Sequence, residues 1–81
     1  MSAEQAEHLD LSGLACPLPV LRASRRMRAL APGTKLVVTV TDPSAPADFR
    51  AFCETAGHTF LDIETIEGGH RLSIRKGAAA A

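Results

Sequence analysis

At 81 residues the chain is the length of one domain, and a chain this short buries only roughly 60% of the surface it exposes when unfolded. Apolar residues make up 46%, while the only aromatics are three Phe, so the expected core is compact and mostly aliphatic. Nine basic and nine acidic residues cancel, which argues against a dedicated nucleic-acid binder.

The opening MSAEQAEHLD has no basic or apolar region of a secretory signal. No apolar run nears the ~18 residues that span a bilayer. A soluble, cytoplasmic monomer without a membrane partner is expected. Two cysteines, Cys16 and Cys53, are fewer than a disulfide-stapled domain of this size carries.

In chain order, His8 to Leu11 alternate polar and apolar and predict a short strand. Residues 12–15 form a loop. From Pro17 to Leu30 or Ala31, Val20, Ala23, Met27 and Leu30 define one helical stripe. Arg22, Arg25 and Arg26 lie mostly off it, with Arg28 at its margin, giving a basic outer face. Ala31-Pro32-Gly33 stops the helix. Thr34 to Thr41 read TKLVVTVT and predict a central strand with two fairly apolar faces.

After a turn at Asp42-Pro43-Ser44, residues 45–56 predict a second helix with Phe49, Phe52, Cys53 and Ala56 facing the core. Gly57 closes it in the left-handed conformation. His58 to Glu67 and His70 to Lys76 are two strands, with Leu61, Ile63, Leu72 and Ile74 inward. Gly68-Gly69 between them predicts a type I′ hairpin. The order βαβαββ gives an α/β two-layer sandwich, a four-stranded mixed sheet with two helices on one face. One domain spans 1–81, with its core at about 8–77.

The stretch LACPLPVLRAS raises the chemical question. Proline suits the first helical turn, where an amide has no intrahelical partner to lose. Pro17 at N1 makes Cys16 the N-cap and puts Pro19 at N3. Pro19 has no N–H, which leaves Leu18 as the donor to the sulfur. A helix N-terminus favours an anion, so this reading lowers the thiol pKa and predicts a reactive, partly exposed thiolate. Cysteine is a poor N-cap beside Ser, Asp or Asn, which argues for a use beyond capping. Cys53 lies on the apolar stripe and is expected buried and inert. His8, His58 and His70 are scattered, no metal-ligand spacing occurs, and no metal or cofactor is expected.

Several elements together resemble the TusA (SirA-like) sulfur-carrier family. They are Leu9-Asp10, Gly13-Leu14, Cys16-Pro17-x-Pro19-Val20, Pro32-Gly33, Asp42-Pro43, Asp48, Phe52-Cys53, Gly57-His58 and Arg75-Lys76-Gly77. The resemblance runs from about Leu9 to Gly77. It implies a fold similar to the C-terminal domain of translation initiation factor 3. It also implies a sulfurtransferase that takes sulfane sulfur as a persulfide on Cys16 and passes it to an acceptor. The donor would be a cysteine desulfurase or rhodanese-like protein, and the acceptor a DsrE/TusD-like protein. The relay would serve tRNA thiolation, molybdenum cofactor synthesis or sulfur oxidation.

Some members carry Glu where this chain has Leu18 between the prolines. Pro17, Leu18 and Pro19 form the expected persulfide environment. Arg22, Arg25, Arg26 and Asp42 are candidate docking residues, although a solvated helix face and a turn explain them equally well. A non-catalytic regulatory or protein-binding module is the alternative. An RNA-binding domain, suggested by the fold analogy, fits poorly with zero net charge and no stacking aromatics at the basic face.

Overall fold

The computed structural model describes residues 6–78. The elements are β1 (Ala6–Leu11), α1 (Leu18–Arg28), β2 (Lys35–Val40), α2 (Ala45–Ala56), β3 (Thr59–Ile66) and β4 (Gly69–Arg75). They form the expected βαβαββ α/β sandwich, with one open, mixed sheet in the order β1-β2-β4-β3.

The parallel pair β1 and β2 run in register from Ala6 opposite Lys35 to Leu11 opposite Val40. β4 pairs antiparallel with both β2 and β3. β2 is therefore central, in keeping with its β-branched content, and Val37 is buried although its neighbours Leu36 and Val38 face the opposite way.

One apolar cluster joins the helices to a single face of the sheet. Leu36, Val38 and Val40 of β2 and Leu72 and Ile74 of β4 form its floor. Ala23 and Met27 of α1 and Ala45, Phe49 and Cys53 of α2 press onto it. Phe49 is wholly buried, and burying a side chain of that class contributes about 1.5–3 kcal/mol. On α1 the buried set is Pro19, Ala23 and Met27, with Val20 only half-buried. Pro19 is thus buried as well as placed in the first turn of the helix.

The segment after β4 ties down the C-terminal ends of both helices. Lys76 is buried and its Nζ donates to the Met27 carbonyl at 2.5 Å, a cation on the carbonyl end of α1. Its backbone pairs with Gly33 and Thr34. Gly77 donates to His58 Nδ1 at 3.2 Å, and a Cβ on Gly77 would collide with the Gly57 carbonyl.

Two strand details differ from expectation. The hairpin turn is Glu67-Gly68, with Ile66 opposite Gly69. Only Gly68 has positive φ (81°), so the turn is not type I′, which needs it at both central residues. Gly69 belongs to β4, and a side chain there would collide with the Val40 carbonyl where β2 ends. In β3 the register shifts between Phe60 and Asp62, and Leu61 is the extra residue of a bulge. Phe60 and Ile63 pack on the core, while Leu61 is exposed.

α2 and its end match the sequence reading. Gly57 has φ 85° and closes the helix in the left-handed region. Both the Gly57 and His58 amides return to the Cys53 carbonyl.

Candidate functional site

The loops that follow β1 and β2 leave neighbouring parallel strands at the same end, so the topology sets them side by side. Two hydrogen bonds pin them. Gly13 N–H donates to Thr41 Oγ1 at 2.8 Å, and Cys16 N–H donates to Asp42 Oδ2 at 2.6 Å. Asp42 also accepts from the Ser44 amide and hydroxyl at 2.9 and 3.0 Å, which orders the entry to α2. These charge-assisted bonds hold the Asp42 carboxyl below the usual carboxylate range, those from Ser44 N–H and Cys16 N–H foremost. Asp42 is thus a positioning residue for the Cys16 loop.

Cys16 is exposed and unpaired, and Cys53 is buried and unpaired. The peptide between Cys16 and Pro17 is cis. The helix starts one residue later than the sequence reading placed it. Pro17 is the N-cap, Leu18 is the first helical residue and Pro19 the second. The Leu18 N–H donates to the Ala15 carbonyl at 2.8 Å, so it does not serve the sulfur. The "CPLP" run therefore fixes the loop and the helix entry without capping the helix through the thiol.

The sulfur lies near two carboxylates instead. The Asp48 carboxylate, in the first turn of α2 and on the same groove as Cys16, pushes the thiol pKa up. Partial desolvation and the Asp42 charge push the same way, and only the Ser44 hydroxyl opposes them. The expected lowering is thus reversed. A carboxylate that accepts the S–H proton stabilises the neutral thiol, and two negative neighbours oppose the thiolate. These neighbours favour the neutral thiol over the thiolate.

Beside the thiol an open, mainly apolar groove of about 420 Å³ runs between the helices. Cys16, Pro17 and Val20 line one wall, and Asp48, Ala51, Phe52 and Thr55 the other. Phe52 is half-buried, set edge-on to Phe49 at 6.4 Å and tilted against His58 at 5.2 Å. It is both core and groove wall, whereas the helical stripe predicted core alone. Leu18 and Leu21 extend exposed apolar surface along α1.

The candidate docking residues divide into two places. Asp42 stands at the thiol. Arg22, Arg25 and Arg26 surround Leu9 and Ala29 on another flank of α1, and Arg26 is ion-paired with Glu7 of β1. None of them lines the groove beside Cys16.

Sequence reasoning placed Asp48 only among the residues of the family resemblance and left Ser44 and Thr41 out of the site. The signal that finds them is topological. In a parallel βαβ unit, residues just after each strand converge at one edge of the sheet.

A small α/β sandwich that mounts one exposed thiol where its parallel strands end defines the class. The family model for sulfurtransferase TusA matches residues 7–76. Two relatives of Neisseria meningitidis, from serogroups A and B, are each named a putative sulfur carrier protein. Each is 43% identical over 70 residues, covering 86% of this chain and 95% of the relative. The sulfur carrier protein TusA of Allochromatium vinosum is 38% identical over 74 residues, covering 91% of this chain and 97% of that protein. The chain belongs to the TusA family.

Proposed function

We propose that this protein is a sulfur carrier whose Cys16 accepts sulfane sulfur as a persulfide and hands it to an acceptor protein. The observation that carries the reading is the contrast between an exposed Cys16, held on a pinned loop beside an apolar groove, and a buried Cys53. Family membership and the names of the relatives support it.

Transfer requires little of the protein beyond presentation. The Cys16 thiolate attacks the outer sulfur of a donor persulfide, the donor sulfur leaves, and the sulfane sulfur remains on Cys16. An acceptor thiolate then attacks that terminal sulfur and Cys16 departs. Pro17, Leu18 and Pro19 hold the loop rigid around the reacting atom. The apolar groove with Leu18 and Leu21 is the surface against which a donor or acceptor loop packs. A cysteine desulfurase or rhodanese-like donor and a DsrE/TusD-like acceptor are the matching partner classes. The reading makes the chain a sulfurtransferase within a relay for tRNA thiolation, molybdenum cofactor synthesis or sulfur oxidation.

The test is intact-mass analysis after incubation with a cysteine desulfurase and cysteine, with thiosulfate, or with a loaded rhodanese. One added sulfur, absent from Cys16→Ser, is expected with at least one donor. No loading with any of them, or full loading of Cys16→Ser, overturns the reading.

A further inference from the structure

We propose that Asp48 selects the sulfur partner by charge: the mouth of Cys16 takes a reactant that presents a cationic group beside its sulfur and disfavours an anionic one. The inference rests on the reading of Cys16 as the sulfur-bearing residue and adds the chemistry of what meets it.

The charges that face the thiol are of one sign. From α2, Asp48 lines the same groove as Cys16 and is the one acidic or basic side chain among the groove's described lining residues, and its carboxylate pushes the thiol pKa up. From the β2–α2 loop, Asp42 adds a second carboxylate, bound to the Cys16 amide, and Ser44 contributes a neutral hydroxyl. From α1 and its N-cap, Val20 and Pro17 line the groove, neither of them charged. The α1 arginines gather on the other flank around Leu9.

A donor persulfide arriving alone therefore meets two negative charges. A cationic side chain beside the donor sulfur offsets them, raises the thiolate fraction of Cys16 and stabilises the leaving donor thiolate. The atoms balance without an oxidant or reductant. The Cys16 Sγ–S bond forms as the donor S–S bond breaks, the electron pair leaves on the donor sulfur, and the proton lost by Cys16 ends on that sulfur. The sulfane sulfur keeps its oxidation level.

The test uses the intact chain and two thiol reagents of equal size and opposite charge, trimethylammonioethyl and sulfonatoethyl methanethiosulfonate. Each rate at Cys16 is divided by that reagent's rate with 2-mercaptoethanol. The cationic reagent should be favoured about fivefold at low salt, the factor for unit charges about 4 Å apart in water. The preference should shrink as salt rises. Asp48→Asn should bring the ratio towards one, and Asp48→Glu should restore it. A wild-type ratio at or below one, or a preference untouched by salt or by Asp48→Asn, overturns the inference. If Asp48→Asn does not fold, the wild-type ratio and its salt dependence decide. No persulfide enters this assay. Failed sulfur loading with the charge preference intact removes the carrier reading, and loading without the preference removes only this inference.

Discussion

Cys16 and Cys53 sit in neighbouring helical regions and have opposite surroundings. Cys53 faces the sheet on α2 and is 2% exposed, among Phe49, Met27 and the β2 valines. Burial alone pushes its thiol up to about 11. Cys16 is open to solvent, and its thiol is also pushed up, but chiefly by the neighbouring Asp48 carboxylate. One thiol is silenced by exclusion from water, the other biased towards its neutral form by a carboxylate on the same open groove. The first state changes only on unfolding, whereas the second responds to whatever charge arrives.

The largest expected effect tests the exclusion. Under native conditions a neutral thiol reagent should label Cys16 and leave Cys53 protected by about three orders of magnitude or more, because Cys53 is reached only through opening of the core. Comparable native labelling rates, read by peptide mass spectrometry, would break the contrast. Next comes the wall that hides Cys53. Phe49→Ala should cost about 3–5 kcal/mol in denaturant unfolding, a large share of the stability of so small a domain, and should expose Cys53 to the reagent.

Asp48→Asn should act on Cys16 alone. Its thiol pKa is raised in the wild type, so removing the carboxylate lowers it. Below both pKa values the variant then holds more thiolate, and alkylation should quicken several-fold at neutral pH. Above both values the rates should converge. A pH profile that does not move to lower pH would show that Asp48 does not hold the proton. The smallest effect is Gly57→Ala. No neighbouring atom lies within 4 Å of the added Cβ, so the cost is conformational, about 1 kcal/mol, with Cys16 reactivity unchanged.

Much of this molecule was legible in its sequence. The period-2 run from Leu36 to Val40, the helical stripe through Phe49 and Cys53, and Gly57 after it determine local structure by themselves, and all three lie where expected. What was not legible depends on contacts distant along the chain. Leu61 alternates correctly for an inward residue, but the bulge that turns it out is a property of its pairing with β4. Position 69 must be glycine because of Val40, twenty-nine positions away. The thiol environment failed for the same reason. Helix-terminus reasoning considers only α1, whereas Asp42 binds the Cys16 amide and Asp48 raises the thiol pKa, both from beyond β2. Cys16 was thus identifiable from its neighbours in sequence, and its protonation state only from its neighbours in space.

The most direct measurement of the central claim is peptide mapping of the sulfur. The protein is incubated with a cysteine desulfurase and cysteine, separated from the donor, capped with iodoacetamide and digested with trypsin. Residues 1–22 contain Cys16 and no other cysteine, which separates the two sites. The account predicts one added sulfur on the peptide ending at Arg22, lost when an acceptor thiol is added before capping, and none on the Cys53 peptide. Sulfur on Cys53, or a Cys16 peptide that stays unloaded, would contradict it.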